Sequence, residues 1–476
     1  MRPSLSPFTT TIAVALLVAA CTSSTSPAAV ATPLASGPPG STSATAPVDS
    51  PASTASPSPS RASGSTSPAA SPWTSPSVFD GSWLPAGELL LGRSQTHVAL
   101  VGVDEVMVVG SDNICSPGDA WDESVAAEVG DPLEQVWMEA ASLPSPRDRF
   151  AIAALPNGRA LVTGGTTSQG GEIGPRSYSS TYLFDPNARS WSRSGLLNTA
   201  RSDPAAAVLA DGRVLVAGGY YADLPANPPF RMLDSSELFE HATGTWSRTG
   251  SLLEARYGAS AVTLADGRVL IVGGWPSVEY GPAPLYGPHQ LPLTSAEVYD
   301  PETGQWNEAG DLDLARTDFV LVALADGGAL VAGGTVGLEA DASRFVGEPT
   351  SRTERFDPQT SVWSPTGDMA IAAADRTGVR LLDGQVLVAG GDLTVHEADV
   401  DVPLTGLTAD AELYDPAAGI WKATTPMPQS RSGASAIVLE DGSVLLVGGI
   451  KAHASPGDTP ACPVPDRQAL RYVPGS

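Results

Sequence analysis

The chain has 476 residues and a net charge of −26, with 52 acidic residues against 26 basic ones. This acidic excess argues against nucleic acid and against an anionic membrane surface as binding partners. A single domain of such a length is expected only if it is built from repeats.

The N-terminus has the pattern of a secretory signal: Arg2, an apolar run over residues 12–20, then Cys21. The run is about half the length needed to cross a bilayer, so no membrane-spanning helix is predicted. The run VAAC that ends at Cys21 resembles the bacterial lipobox. That resemblance implies that residues 1–21 are a signal peptide and that lipidated Cys21 holds an exported protein on the outward-facing side of a bacterial cell membrane. The alternative is an ordinary cleaved signal followed by an unrelated cysteine.

Residues 22–79 consist almost entirely of Ser, Thr, Pro, Ala and Gly. Such a segment has too few large apolar groups to offset the entropy of ordering, so a disordered stalk is predicted. A flexible coil of this length has ends about 40 Å apart, enough to hold a domain away from a membrane.

From residue 80 onward one nine-residue sequence motif recurs, called here the repeated phrase. It reads DGRVLVAGG at Asp211–Gly219 and DGRVLIVGG at Asp266–Gly274, with related copies beginning at Val103, Asn157, Asp326, Asp383 and Asp441. A tryptophan stands 28 residues before the last residue of each copy: Trp83, Trp137, Trp191, Trp246, Trp306, Trp363 and Trp421. An aromatic residue stands seven before most of these tryptophans: Phe184, Phe239, Tyr299, Phe356 and Tyr414. Only the stretch between the Gly-Gly and this aromatic residue varies in length, so the rest is predicted to be a packed scaffold.

The sequence of each repeat unit predicts four short antiparallel strands. The apolar run Val214–Ala217 suits a strand buried on both faces, and the Asp-Gly before it suits a tight hairpin turn. The segment VYDPETGQW from Val298 predicts a second hairpin, with a Tyr strand, an Asp-Pro turn and a Trp strand.

The Gly-Gly, aromatic and Trp markers resemble those of the kelch repeat, including the central domain of the galactose oxidase type. The resemblance covers residues 81–473 and implies an all-β fold, a seven-bladed β-propeller over residues 80–476. The first unit departs from the pattern, with Gly130 for the aromatic residue and Ser111 for the second glycine.

The two ends of the array complement each other. Tyr472 has no tryptophan seven residues later, and Trp83 has Pro76 in place of its aromatic residue. The N-terminal strand around Trp83 is therefore predicted to be the outer strand of the last blade and to close the ring. Cys115 and Cys462 fall in the variable loops of the first and last blades, which predicts a disulfide in an exported protein.

An arginine stands ten residues after most of the tryptophans: Arg93, Arg147, Arg201, Arg256, Arg316 and Arg431. The sixth unit has Ala373 there, with Arg376 three residues later. A ring of arginines near the channel suggests binding of a carboxylate or sugar acid. The alternative is that each arginine bonds to main-chain carbonyls or a loop acid and braces its own blade.

The variable loops of the third and fourth units are rich in aromatic residues, which predicts a stacking platform for a glycan or a peptide. The candidates are Tyr220, Tyr221, Trp275, Tyr280 and Tyr286. The alternative is that these rings only hold their own long loops against the scaffold.

Signals of catalysis are weak. The five histidines fall in separate units, and none has a second ligand at metal-binding spacing, so neither a metal nor a cofactor is predicted. Copper oxidases with a kelch propeller use a His and Tyr cluster that these positions do not supply, and the sialidase turn motif is missing.

The sequence thus favours a non-catalytic, monomeric binding platform for a glycan or an extracellular protein, joined to the membrane through its lipid alone. The rival is an enzyme of the oxidase or isomerase type acting on a sugar or sugar acid at the channel mouth. Arginines saturated by main chain would favour the platform, and free arginines converging in a deep pocket would favour the enzyme.

Overall fold

A computed structural model describes residues 80–102, 104–111, 126–167, 176–223, 230–276, 291–340, 344–393, 396–397, 406–451 and 464–475. The predicted signal, Cys21 and the predicted stalk lie outside these residues, and so do Cys115, Cys462, Tyr280 and Tyr286.

The described part of the chain is all-β, without a helix. Its main elements are seven antiparallel sheets, numbered here from the N-terminus of the repeat array, each with four principal strands. In sheets 1 to 6 these strands follow one another in chain order from the innermost to the outermost. Sheet 1 comprises Gln95–Val101, Glu105–Ser111, Ala127–Asp131 and Val136–Ala140, and sheet 2 comprises Asp148–Ala154, Ala160–Thr167, Thr181–Asp185 and Ser190–Arg193. Sheet 3 comprises Ala205–Val208, Val214–Ala217, Ser236–Glu240 and Thr245–Arg248. Sheet 4 comprises Ser260–Thr263, Val269–Val272, Ser295–Asp300 and Gln305–Asp311. Sheets 5 and 6 comprise Val320–Ala323, Ala329–Ala332, Thr353–Asp357 and Val362–Pro365; and Thr377–Arg380, Val386–Ala389, Ala411–Asp415 and Ile420–Thr424.

Sheet 7 takes its strands from both ends of the repeat array. Its inner three are Ser435–Val438, Val444–Val447 and Val464–Val473, and its outermost strand is the N-terminal segment Ser82–Arg93. Trp83 lies opposite Tyr472 in this antiparallel pair, with their ring centroids 5.1 Å apart. The indole Nε1 of Trp83 donates to the carbonyl oxygen of Thr425, which follows the outermost strand of sheet 6.

The repeated phrase forms the second strand of each sheet. In sheet 3, Val214–Ala217 is fully buried because it pairs with a strand on either side and is covered on both faces. The turn before it needs Gly212, whose φ is 86°, while Asp211 Oδ1 accepts a hydrogen bond from the Arg213 amide at 3.0 Å.

The aromatic and Trp markers face each other in the outer hairpin. Phe239 lies opposite Trp246 with ring centroids 5.1 Å apart, and the corresponding pairs of the other sheets with an aromatic residue lie at 5.0 to 5.2 Å. In sheet 1, Gly130 lies opposite Trp137, and a Cβ at Gly130 would come within 2.5 Å of the indole. Trp137 therefore occupies the space of the missing aromatic residue, and sheet 1 keeps its four strands.

Each sheet packs face to face against the next through a buried apolar cluster, from sheets 1 and 2 through to sheets 6 and 7. Sheets 7 and 1 share such a cluster as well, in which Ala86, Leu89 and Leu445 pack with Val106 and Trp137. The innermost strands follow the same order, and the last of them contacts the first.

Short additional strands lie just before the innermost strands or in the variable loops that follow the second strands. They are Arg176–Ser177, Tyr220–Ala222, Phe230–Met232, Arg256–Tyr257, Trp275–Pro276, Arg316–Thr317, Thr335–Ala340, Arg344–Pro349, His396–Glu397 and Ile450–Lys451. Tyr220–Ala222 pairs with Phe230–Met232, and Arg256–Tyr257 pairs with Trp275–Pro276. The variable loops and the repeated arginines therefore occupy the same end of the sheets.

Candidate functional site

The repeated arginines lie in the protein interior. Their exposed fractions are at most 2%, and they are among the largest fully buried side chains of the described residues. A buried guanidinium must have its donors satisfied and its charge balanced.

Arg201 shows how this is achieved. Its Nη1 donates to the carbonyl oxygens of Gly218 at 2.8 Å and Ser235 at 2.7 Å, and its Nη2 donates to Glu237 Oε1 at 2.9 Å. Glu237 is itself fully buried, and it also accepts the backbone amides of Asn198 at 2.7 Å and Thr199 at 2.9 Å. The pair thus ties the link from the preceding sheet to the second and third strands of sheet 3.

The same arrangement recurs with local changes. Buried acids pair with Arg93, Arg256 and Arg316 in their sheets, through Glu128, Glu297 and Glu354. In sheet 6, Arg376 reaches Glu412 at 3.1 Å although it starts three residues later in the repeat. In sheet 7, Arg431 pairs with Asp466 at 2.8 Å.

Sheet 2 differs, because Tyr182 occupies the position of the glutamates. The guanidinium carbon of Arg147 lies 5.0 Å from the centroid of the Tyr182 ring and 4.6 Å from that of Tyr178. Arg147 also donates to the hydroxyls of Ser145 at 2.6 Å and Ser180 at 2.8 Å. Aromatic faces and hydroxyls thus surround this guanidinium at the place where sheets 1 and 3 to 6 have a glutamate.

The geometry therefore favours the interpretation that each repeated arginine braces its own sheet. We do not count these arginines among the residues that contact a ligand. The acids that complete the brace were missed from the sequence. A signal for them exists, because a glutamate stands nine residues before Trp in five of the seven units: Glu128, Glu237, Glu297, Glu354 and Glu412.

The aromatic residues of sheets 3 and 4 do come together, in part. The Tyr220 ring lies 5.7 Å from Tyr257 in an edge-on contact and 6.1 Å from Phe230. Trp275 is paired with Tyr257 along the backbone, and its Cδ1 lies 3.6 Å from the ideal Cβ position of Gly258. These four rings, here called the aromatic cluster, are all only partly exposed.

Tyr221 lies beside the aromatic cluster and faces solvent on the opposite side of its strand from Tyr220. Its hydroxyl donates to Asp223 Oδ2 at 3.1 Å, a bond that raises the pKa of the phenol. The Arg231 guanidinium carbon lies 5.8 Å from its ring centroid. Tyr221 is therefore held in place by polar partners and keeps part of its surface accessible.

A second feature of the end of the sheets that carries the arginines is a set of seven positions, here called the rim. Each lies two residues after a repeated arginine or, in sheet 6, after Ala373. The members of the rim in sheets 1 to 7 are Gln95, Arg149, Asp203, Gly258, Asp318, Asp375 and Gly433. All but the first have a φ between 52° and 65°, a conformation that Gly and Asp adopt more readily than most residues.

Backbone hydrogen bonds link the rim positions of neighbouring sheets. The amide of Asp203 donates to the Arg149 carbonyl at 2.8 Å, and that of Asp375 donates to Asp318 at 3.0 Å. The Arg149 guanidinium also lies 3.4 Å from Asp203 Oδ2. Side chains at the rim are thus placed by a chain of backbone contacts and not by mobile loops.

Asp318 predicts a measurable pH dependence of stability. Burial raises its pKa from 3.8 to about 6; Asp203 acts in the same direction, and the hydrogen bond from Thr317 opposes it. A carboxyl group with a raised folded-state pKa favours folding below about pH 4, and this contribution is lost as the pH rises through about 6.

We therefore expect Asp318→Asn to stabilise the protein at pH 8, and its advantage over wild type to shrink by about 2 kcal/mol on going to pH 4.5. Urea unfolding at both pH values measures this difference. Asp311→Asn, at an exposed position of sheet 4, is the control. An Asp318→Asn effect of equal size at both pH values would contradict the prediction.

The histidines do not converge in the described residues. His97 is buried against Phe150, with ring centroids 4.4 Å apart, and burial lowers its pKa to about 4. His241 lies in the outer turn of sheet 3, away from it in the fold. No group of three or more His, Cys, Asp or Glu side chains suited to a metal ion is found among the described residues. Nor does this part of the chain contain a helix long and apolar enough to cross a membrane.

The chain is similar to known proteins through its repeats. Residues 255–312 match the Kelch motif. Kelch-like protein 36 of Bos taurus is 25% identical over 308 residues, which is 65% of this chain and 44% of that protein. Kelch-like protein 23 of Homo sapiens is 22% identical over 53% of this chain and 47% of its own length. The chain spans less than half of the length of these relatives.

Among solved structures, a fungal alcohol oxidase of the AA5 family, in complex with copper, superposes with a TM-score of 0.59. It is 18% identical, and the match covers 83% of this chain and 76% of the oxidase. At that identity the likeness concerns the fold alone. Together with the sheets described above, it indicates a β-propeller architecture similar to that of this oxidase. Within this architecture, residues 255–312 are the repeat that matches the Kelch motif.

Proposed function

We propose that this protein is a non-catalytic binding module, a closed seven-bladed propeller that presents the aromatic cluster and Tyr221 to a glycan or an extracellular protein partner. The observation that carries the proposal is the contact of Tyr220 with both Tyr257 and Phe230, which joins loops of two neighbouring sheets into one partly exposed surface. Aromatic groups of this kind bury large areas at low entropic cost and are common at binding sites.

The buried arginines support binding over catalysis. Each donates to main-chain carbonyls of its own sheet and, in six sheets, lies beside an internal acid. An enzyme acting on a sugar acid at the channel mouth would need some of these guanidinium groups to reach substrate. The kelch-like relatives are consistent with a protein-binding role.

Closure into a seven-bladed ring is supported by the order of contacts between the sheets. The indole of Trp137 in sheet 1 donates to the Ala86 carbonyl in the N-terminal strand at 2.9 Å, just as Trp191 in sheet 2 donates to Ala141 after sheet 1. Sheet 7 is therefore joined to sheet 1 by the same kind of indole-to-carbonyl hydrogen bond that joins sheet 1 to sheet 2.

The binding role is tested with Trp275→Ala and Tyr221→Ala against arrays of glycans and of displayed extracellular proteins. We expect both variants to weaken binding to whatever the wild type captures by tenfold or more, because each removes a partly exposed ring. Their melting temperatures should match that of the wild type. Leu382→Ala, at a 72% exposed position in the inner turn of sheet 6, is the matched control and should bind as the wild type does. Unfolding of both aromatic variants would mean that these rings are structural.

The anchoring of the module is part of the same proposal. Lipidation of Cys21 and a stalk over residues 22–79 would place the propeller outside a bacterial cell membrane. Cys21→Ser should abolish labelling by a palmitate analogue and release the protein from membranes. The pairing of Cys115 with Cys462 also stays a prediction, and peptide mapping without reductant tests it.

A further inference from the structure

Four side chains of the variable loops of sheets 2 and 3 share one face of a small antiparallel arrangement. Tyr221 lies directly opposite Arg231 in a strand pair, and Asp223 lies directly opposite Arg176 in an antiparallel bridge. Directly opposite residues have their side chains on the same face of a sheet, and so do residues two apart in one strand. These four side chains, here called the loop patch, therefore stand side by side, on the opposite face from Tyr220.

Contacts within the loop patch hold its carboxylate in place. Asp223 Oδ2 accepts the hydrogen bond from the Tyr221 hydroxyl, and Asp223 Oδ1 lies 3.2 Å from Arg176 Nε. The two side chains of this ion pair are still 54% exposed for Arg176 and 40% exposed for Asp223. Each carboxylate oxygen has a second lone pair, so Asp223 can accept further hydrogen bonds from a ligand.

Arg231 is the member of the loop patch whose charge is not balanced by an acid. It is exposed, and its guanidinium carbon lies 5.8 Å from the centroid of the Tyr221 ring. Within the part of the chain that the structure describes, no carboxylate forms an ion pair with Arg231. Its N–H donors are therefore directed to solvent beside an aromatic ring.

The charge of the loop patch is opposite in sign to that of the whole chain. Asp223 raises the pKa of the Tyr221 phenol, and the two guanidinium groups oppose it, so one negative and two positive charges surround this hydroxyl. The chain as a whole carries a net charge of −26. A group of exposed arginines on so acidic a protein is a local place of attraction for an anion.

The combination of groups indicates which anion fits. Arginine offers only donors, which suit a carboxylate, and an ionised aspartate offers only acceptors, which suit hydroxyl groups. An aromatic ring between them offers an apolar surface. A sugar acid carries a carboxylate, several hydroxyls and an apolar ring face. An acidic side chain of a protein has the carboxylate but no hydroxyls, and Asp223 would repel it.

We infer that the loop patch binds a sugar acid residue of a glycan. Arg231 pairs with the sugar carboxylate, Asp223 accepts hydrogen bonds from its hydroxyls, and the Tyr221 ring packs against the sugar ring. Arg176 orients the Asp223 carboxylate. This inference rests on the proposed binding role and narrows the partner from a glycan or a protein to an acidic glycan.

Saturation-transfer NMR on the purified full chain tests the inference, because it detects weak binding of small sugars. The probes are glucuronate, galacturonate and mannuronate, each compared with its neutral sugar, glucose, galactose or mannose. We expect saturable binding of at least one uronate and at least tenfold weaker binding of its neutral sugar. No saturable binding of any uronate, or equal affinity for the neutral sugar, would overturn the inference.

Two further probes separate a sugar acid from other anions. Acetate carries the carboxylate alone, and a capped Gly-Glu-Gly peptide carries it on a protein side chain. Both should bind at least tenfold more weakly than the uronate, because neither supplies hydroxyls to Asp223. Acetate binding as strong as that of the uronate would reduce the site to an anion site. A peptide that binds as tightly as the uronate would point to an acidic protein segment, and either result overturns the inference.

Arg231→Gln should weaken binding of the uronate at least tenfold, because it removes the charge that pairs with the carboxylate. Its control is Arg248→Gln, which removes the same charge from an exposed position in the outermost strand of sheet 3 and should leave the affinity within twofold of wild type. An equal loss in both variants would show a general charge effect and overturn the inference. The comparison of ligands on the wild type decides the matter even if the Arg231 variant does not fold.

The outcome is separable from that of the proposed function. Failure of all three uronates, with binding to an array that still depends on Trp275, removes the sugar acid and leaves the binding platform. Uronate binding that is lost in Arg231→Gln and in Tyr221→Ala, with Trp275→Ala at the wild-type affinity, confines recognition to the loop patch and removes the aromatic cluster.

Discussion

Glu237→Ala is expected to destabilise the protein by about 3 to 5 kcal/mol, because it leaves the fully buried Arg201 guanidinium without its counter-charge. The substitution also removes the acceptor of the Asn198 and Thr199 amides, and these donors lie in the link between two sheets. Urea unfolding measures the loss. Glu302→Ala, at an exposed position of an outer turn, should change the free energy of unfolding by less than about 0.5 kcal/mol.

The partner substitution separates charge from packing. In Arg201→Met/Glu237→Leu both charges are replaced by apolar groups, so no unpaired ion stays in the interior. We expect this double variant to be more stable than Glu237→Ala alone. A double variant that is less stable than the single one would mean that the brace acts through its hydrogen bonds to the main chain and not through charge balance.

Gly218→Ala is expected to lower the free energy of unfolding by about 2 to 5 kcal/mol, because the substitution strains the backbone and creates a steric clash. The φ of Gly218 is 66°, and a Cβ there would lie 2.4 Å from the carbonyl oxygen of Arg256 in the next sheet. That carbonyl also accepts the Gly219 amide at 2.8 Å, so it has little freedom to move away. The first glycine of the repeated pair therefore allows one sheet to approach the next.

Gly267→Ala is the matched control, because Gly267 also has a positive φ, 87°, but the nearest atom to its Cβ position is 3.9 Å away. Gly267→Ala should lower the free energy of unfolding by only about 1 to 2 kcal/mol, the cost of a non-glycine residue at a positive φ. Equal losses in the two variants would show that the contact between neighbouring sheets contributes nothing at Gly218.

Much of the scaffold could be predicted because its markers recur at fixed spacing. The buried strand Val214–Ala217, the turn at Gly212 and the Phe239–Trp246 pair all lie where local sequence chemistry places them. These features depend on residues close together in the chain, for which turn preference and apolar pattern are sufficient.

The candidate site could be predicted only in part, because it depends on which way side chains point across sheets. The same arginine pattern is compatible with a ligand ring and with an internal brace, and only the burial of Arg201 against Glu237 distinguishes them. Asp318 and Asp375 carry no motif in the sequence. Their proximity follows from the rim geometry, which brings positions some 55 residues apart into hydrogen-bonding contact.

A circular permutant tests the closed ring most directly. The ideal Cβ position of Gly475 lies 2.4 Å from Asp80 Oδ1 and 3.1 Å from the Gly81 amide nitrogen, so the ends of the described repeat array adjoin. A permutant of residues 80–475 would join Gly475 to Asp80 through a short glycine linker and open the chain in the exposed turn at residues 133–135. Insertion of eight Gly and Ser residues at that turn controls for the opening itself. Closure by the N-terminal strand predicts that the permutant unfolds cooperatively at a melting temperature within a few degrees of the uncut chain. A permutant that fails to fold, while the insertion variant folds normally, would contradict the closed ring.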